Sequence, residues 1–153
     1  MRVLVTGMSG TGKSTALAEL ARRGVRVVDT DEPGWCVWSD DDDGWLWRED
    51  RIAELLAGSD DDPLFVSGCV SNQGRFYDRF GAIVLLSVPF EVALERIGSR
   101  TTNDYGKSHE ELELIREHFE TVEPRLRATA THEVDGTRPV DEVVRELLAI
   151  GTG

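Results

Sequence analysis

Apolar positions along the chain fall into short blocks that switch between a two-residue and a helical period. Arg2–Thr6 is a β-branched and leucine run that predicts a strand, and a glycine-rich turn follows it. From Lys13 to about Arg23, Leu17, Leu20 and Ala21 recur at helical spacing, with Gly24 where a helix stop belongs. Val25–Val28 predicts a second strand, ending in Asp29-Thr30-Asp31. The stretch from Glu32 is less regular and carries an acidic run, Asp40–Asp43, between aromatic residues. Glu49–Ala57 predicts a short helix with Ile52, Leu55 and Leu56 on one side. Beyond a loop at 60–63, Leu64–Ser67 predicts a third strand and Ile83–Val88 a fourth, the most continuously apolar of all. A helix from about Phe90 to Ser99, a polar loop over Thr101–Ser108 and a long helix from about Glu110 to Glu123 come next. His132–Val134 predicts a last short strand, and Val140–Ile150 a last helix with Pro139 near its start.

Strands that alternate with helices imply an α/β fold, a mainly parallel sheet covered by helices on both faces. No repeat or linker interrupts the pattern, so residues 1–153 read as one domain. With 40% apolar and 30% charged residues, the chain can bury a core without disulfides or metals. No apolar run is long enough to span a membrane. The chain opens directly on a predicted strand, which leaves no room for a leader. Cys36 and Cys69 lack the paired spacing of zinc or redox motifs and read as reduced structural thiols, as expected in the cytoplasm.

The formal charge of −12 argues against a nucleic-acid partner, since phosphate backbones are held by basic surfaces. Any anionic ligand must then be gripped by a few well-placed cations. Only two lysines are present, Lys13 and Lys107, and each sits in a Gly-Lys-Ser triplet.

The first triplet closes Gly7-Met8-Ser9-Gly10-Thr11-Gly12-Lys13-Ser14, which satisfies G-x4-G-K-[ST] between a predicted strand and a predicted helix. Each fixed position has a chemical reason. The glycines let backbone N–H groups converge on phosphates, Lys13 reaches the β- and γ-phosphates, and the Ser14 hydroxyl ligates Mg²⁺. The helix start adds its positive dipole end. Gly7, Ser9, Gly10, Thr11, Gly12, Lys13, Ser14 and Thr15 are therefore the expected contacts to ATP. The second triplet, Gly106-Lys107-Ser108, follows no strand and lacks the first glycine. No Asn-Lys-x-Asp motif is present, which argues against a guanine-specific switch protein.

Together with Glu95-Arg96-Ile97-Gly98-Ser99-Arg100 after the fourth strand, and in that order, these motifs make the chain resemble the adenylate kinase and shikimate kinase group. The resemblance covers nearly the whole length. It implies a three-layer α/β/α P-loop nucleoside triphosphate hydrolase fold, with a mainly parallel five-stranded sheet and a short lid. It implies that Arg96 stacks on the adenine and that Arg100 contacts the phosphates. Thr101–Ser108 would be the lid, with Lys107 adding charge over the transferring phosphoryl group. Asp135–Pro139 resembles the loop beside the adenine, which places Arg138 and Pro139 there.

Asp29-Thr30-Asp31 stands where shikimate and gluconate kinases carry their own Asp-x-Asp. Alternation along an extended chain would put both carboxylates on one side, Asp29 toward Mg²⁺ and Asp31 toward an acceptor hydroxyl. After the third strand the adenylate kinase pattern Asp-Gly-x-Pro-Arg and the shikimate kinase triple glycine are both missing, although Gly68 is kept. Asn72, Gln73 and Arg75 read as polar groups aimed at the acceptor, with Arg75 a clamp for an anion.

The acceptor region would span about residues 32–60. Trp35, Trp38, Trp45 and Trp47 either stack on an acceptor there, with Trp35 a candidate contact, or pack partly in the core beside an acidic surface loop. Three functions stay open: a kinase acting on a hydroxyl of a small molecule, a nucleoside monophosphate kinase, and a nucleotide-dependent regulatory protein without transfer. The expected partners are a nucleotide and a small-molecule acceptor, on a monomer or homodimer. An acidic acceptor side suits a cationic molecule, such as an aminated sugar, better than an anion.

Overall fold

The computed structural model describes residues 1–58, 61–99 and 108–153. Five strands form one sheet in the order β2-β5-β1-β6-β7, with every neighbouring pair parallel. They are β1 (Arg2–Thr6), β2 (Arg26–Asp29), β5 (Leu64–Ser67), β6 (Ala82–Ser87) and β7 (His132–Asp135). Parallel strands are buried on both faces and so read as continuous apolar runs, as in β1 and β6.

Strand alternation divides the core in two. Val3 and Val5 of β1, Phe65 of β5 and Val84 and Leu86 of β6 face α1 (Lys13–Arg22) and α6 (Val140–Thr152), which meet them with Leu17, Leu20, Val144 and Leu147. Leu4, Val66 and Ile83 face the opposite layer, where α2 (Glu49–Leu56) contributes Ile52 and Leu56. A 3₁₀ segment, Gln73–Arg79, adds Phe76 to that layer. The remaining helices are α3 (Phe90–Ser99), α4 (His109–Thr121) and α5 (Glu123–Thr129). The expected three-layer α/β/α architecture is the one observed.

Two local expectations are corrected. The irregular stretch after Glu32 holds an antiparallel hairpin, β3 (Cys36–Ser39) and β4 (Gly44–Trp47), in which Trp38 pairs with Trp45 and Cys36 with Trp47. The acidic run Asp40–Asp43 is its turn, with Asp43 at a φ of 50°. The long helix ends at Thr121 and restarts as α5, because Pro124 in the first turn of α5 has no N–H to continue the ladder. Ser108 is the N-cap of α4: its Oγ accepts from the Glu111 N–H and donates to the Glu111 carboxylate. Among the described residues no helix is long and apolar enough to cross a membrane.

Candidate active site

The loop between β1 and α1 lies at the C-terminal edge of the sheet, where open α/β sheets bind ligands. Its shape needs glycine. Gly10 and Gly12 sit at φ of 82° and 99°, in the left-handed region that favours glycine. A Cβ on Gly7 would collide with the Leu86 carbonyl, and one on Gly10 would come within 2.8 Å of the Ala93 carbonyl of α3. Thr11, fully buried, donates from Oγ1 to the Met8 carbonyl at 2.9 Å and holds the loop from inside. Gly12 caps α1 and offers its first-turn amides no side-chain acceptor, the arrangement by which a helix start receives an anion. Lys13 Nζ donates to the Gly7 and Met8 carbonyls at 2.7 and 2.9 Å, which lays the ammonium along the loop.

The acidic pair meets this loop through a turn and not through an extended chain. Glu32 N donates to the Asp29 carbonyl at 3.1 Å, which folds Asp29–Glu32 into a β-turn. Asp31 N donates to Asp29 Oδ1 at 3.0 Å, and Asp29 Oδ2 accepts from Ser14 Oγ at 2.8 Å. The strand-alternation argument is therefore corrected: Asp29 bonds Ser14 of the loop, and Asp31 lies within electrostatic reach of Lys13. Asp31 is accessible from the cleft but has protein on most sides. That partial burial raises its pKa, Lys13 opposes the rise, and the Asp29 charge adds to it.

A hydroxyl and a carboxylate in contact are hard oxygen donors of the kind Mg²⁺ prefers. One or two protein donors suffice when phosphates supply others. Among the described residues there is no cluster of three or more His, Cys, Asp or Glu to hold a metal without phosphates. Ser14 and Asp29 thus fit a nucleotide-borne Mg²⁺.

Thr30, between the two aspartates, is buried. Its Oγ1 donates to the Ser67 carbonyl at 2.7 Å and accepts from Trp47 Nε1 at 2.9 Å. Trp47 also stacks edge-on against Phe76 at 5.9 Å between centroids. Gly68 is required beside this contact, since a Cβ there would overlap Thr30 Oγ1. Cys36 Sγ donates to the Thr30 carbonyl at 3.3 Å. Thr30, Trp47 and Cys36 carry no recognisable site motif, and only the retained Gly68 signals a close approach.

Asn72 and Gln73 are corrected from acceptor groups to scaffold groups, because both amides are buried and already bonded. Asn72 accepts from Trp47 N at 2.9 Å and donates to the Trp47 carbonyl at 3.0 Å and to Glu49 at 3.1 Å. Gln73 donates to Thr6 Oγ1 and Tyr77 Oη and accepts from Val70 N. Arg75 is exposed and paired with Glu49 at 3.1 Å, so its charge is already compensated. Trp35 is half-buried, with the Arg51 guanidinium 4.3 Å over its ring and donating to the Gly34 carbonyl. Trp38 and Trp45 are 50% and 57% exposed and pack edge to face at 5.6 Å. Of the two readings of the tryptophans, Trp47 and in part Trp35 follow the core one, and the outer pair remains at the surface.

On the nucleotide side, Arg96 donates to the Thr11 carbonyl at 3.2 Å and to the Gly136 carbonyl at 2.7 Å, joining α3 to the phosphate loop and the turn after β7. Gly136 fits because a Cβ there would meet the Thr11 carbonyl at 2.7 Å. Pro139 caps α6, and Arg138 is exposed near Glu146 at 3.5 Å. Ser9 is half-buried at the loop tip. Arg100, Lys107 and the expected lid up to residue 107 lie outside the described residues.

Cys69 is not the structural thiol its spacing suggests: it lies at the cleft. It is exposed there, beside the Thr6 side chain and the Gly7 backbone and within electrostatic reach of Lys13 and Asp31. Its crowded surroundings raise the thiol pKa, and burial with the Asp31 charge pushes Cys36 up to about 11. Iodoacetamide should therefore alkylate both slowly at neutral pH and faster as the pH rises. Saturating ATP should suppress labelling of Cys69 and leave Cys36 unaffected, as mapped by mass spectrometry. Labelling of Cys69 indifferent to nucleotide would contradict its placement beside the phosphate loop.

Comparison with known proteins agrees with this geometry. A family model described as an AAA domain, AAA_18, matches residues 3–120. None of the curated proteins matches the chain. Among solved structures, a gluconokinase from Sinorhizobium meliloti 1021 is 27% identical, with a TM-score of 0.68, covering 99% of this chain and 91% of its own. Shikimate kinase from Aquifex aeolicus vf5 is 21% identical, with a TM-score of 0.66, over 98% and 95%. Deoxyadenosine kinase from M. mycoides, with bound dATP, is 14% identical, with a TM-score of 0.64, over 100% of both chains. The chain belongs to the AAA_18 family of AAA domains and has the fold of the small P-loop kinases.

Proposed function

We propose that this protein is an ATP-dependent phosphotransferase that moves the γ-phosphoryl group to a hydroxyl of a small acceptor. The observation that carries this reading is the contact of Ser14 with Asp29, which sets the start of α1 against a turn that also presents Asp31. A regulatory protein that only bound nucleotide would not need a second carboxylate in the cleft.

Each residue then has a task. The loop amides and Lys13 hold the β- and γ-phosphates, and Lys13 offsets the charge that builds as the bond to the bridging oxygen breaks. Ser14 and Asp29 would hold Mg²⁺, which when bound neutralises phosphate charge. Asp31 accepts the proton of the acceptor hydroxyl as its oxygen forms the new bond to phosphorus, and ADP leaves. A raised pKa suits a carboxylate to that work.

The kinases named above carry different acceptors in their names on one fold, so the fold does not select the acceptor. The local charges favour one class. Arg75 is paired with Glu49 and Arg51 lies over Trp35, so neither is poised for an anion. Strand alternation puts Trp38 and Trp45 on the hairpin face that carries Cys36 and Trp47, the face that meets Thr30. Asp40 accepts from Trp38 Nε1 at 2.8 Å. Indole faces edged by carboxylates suit a hydroxylated molecule that is neutral or carries an amine.

The test is ADP release from MgATP over matched sets of neutral, aminated and carboxylated polyols, nucleosides and AMP. Turnover on a neutral or aminated hydroxyl acceptor supports the reading. Turnover confined to AMP would replace it with a nucleoside monophosphate kinase. ATP binding without acceptor-dependent ADP release across the panel would count against transfer.

A further inference from the structure

One buried hydroxyl ties three segments of the cleft together. Thr30 is 1% exposed against an apolar cluster that includes Trp47, Leu4 and Val66. A hydroxyl in such surroundings is costly unless bonded, and here it is bonded in both directions, to the Ser67 carbonyl and from Trp47 Nε1. The first partner ends β5 and the second ends the hairpin. Trp47 is in turn pinned at both its backbone N–H and its carbonyl by the one amide of Asn72.

The turn on either side of Thr30 is what orients Asp29. One oxygen of that carboxylate takes the Asp31 N–H and the other takes the Ser14 hydroxyl. Rotation of the peptide units around Thr30 would carry the Asp31 N–H away from Asp29 and free the carboxylate to turn from Ser14. The Thr30 N–H also donates to the Ser67 carbonyl at 3.1 Å; the side chain adds to that hold through its hydroxyl, since an apolar side chain of the same shape would have no directional bond to the end of β5 or to the indole.

We propose that Thr30 and Trp47 are positioning residues that hold Asp29 in register with Ser14, and so set how tightly the protein binds Mg²⁺ together with nucleotide. This rests on the reading of Ser14 and Asp29 as the metal side. It assigns the buried tryptophan of the hairpin a role in the metal affinity of a site that it does not itself line.

The test is calorimetric titration of the β,γ-imido analogue of ATP with Mg²⁺ and with EDTA. The quantity read is the affinity gained from the metal. Asp29→Asn should lose most of that gain. Thr30→Val should reduce it about tenfold or more, the usual effect of removing a group that orients a ligand. Thr30→Ser keeps the hydroxyl and should retain the gain, and metal-free affinity should match wild type in both Thr30 variants. Thr30→Val also leaves the buried Trp47 N–H without an acceptor, so its melting temperature should fall. Adding Trp47→Phe removes that orphaned donor and should recover part of the melting temperature without restoring the metal gain. That separates positioning from general stability.

A full metal gain in Thr30→Val, with Asp29→Asn defective, would overturn the positioning role and leave the metal site standing. A full gain in Asp29→Asn would overturn both. Equal loss of metal-free and metal-dependent affinity in Thr30→Val and Thr30→Ser would reduce Thr30 to a structural residue and overturn the proposal.

Discussion

Lys13→Ala is expected to lower phosphoryl transfer on the order of 10³-fold, the scale of losing a charged donor aimed at a developing oxyanion. The argument is electrostatic. The chain carries a formal charge of −12, and Asp29 and Asp31 already crowd the cleft, so an ATP γ-phosphate enters a region short of cations. Among the described residues, Lys13 is the cation that the phosphate loop itself presents. Lys13 bonds the Gly7 and Met8 carbonyls, but the glycine dihedrals and Thr11 hold the loop beside it. The variant should therefore melt close to wild type while failing in transfer, whether ADP release is followed with acceptor or with water in its place. Unchanged turnover would remove the basis for calling the loop a phosphoryl-transfer site.

Asp31→Asn should cripple transfer by about 10²–10⁴-fold, the range of a lost general base, with nucleotide affinity retained. Asparagine keeps the size of the side chain and cannot take the hydroxyl proton. Binding should be spared because the proposed nucleotide contacts run through the loop, Ser14 and Asp29, which bond each other without Asp31's carboxylate. A collapse of nucleotide affinity would move Asp31 to the metal side instead.

Stability should respond in the opposite direction. A folded-state pKa above the unfolded value means that Asp31 favours the fold when protonated. This contribution is fully present below the unfolded carboxyl pKa of about 4 and is lost as the pH rises through the folded pKa. At neutral pH the ionised carboxylate is a burden on the fold, so Asp31→Asn should melt no lower than wild type and the advantage should vanish in acid. The acid limb of the wild-type transfer profile should also lie above the ordinary aspartate range and be absent from the residual activity of Asp31→Asn.

The phosphate loop and the sheet were legible in the sequence because their causes are local. Gly10 and Gly12 occupy backbone angles that few other residues accept, and buried parallel strands such as Ala82–Ser87 need unbroken apolar runs. The hairpin was hidden because Asp40–Asp43 sits between two short strands whose outer tryptophans face solvent, so no alternation of buried and exposed positions marks them. Asn72 and Gln73 misled for a different reason. An amide after a strand looks the same in sequence whether it bonds a ligand or its own backbone, and only the path of Trp47 decides between them. Thr30 escaped notice because its importance lies in a partner 17 residues away in the chain.

The measurement that bears most directly on the central claim is ³¹P NMR of the wild-type protein with MgATP and the acceptor found by ADP release, with Lys13→Ala alongside. The account predicts that the γ-phosphate signal is replaced by equal amounts of ADP and a phosphomonoester on an acceptor hydroxyl, and that Lys13→Ala leaves ATP intact. Loss of ATP to free inorganic phosphate alone, or the same product formed at the same rate by Lys13→Ala, would contradict it.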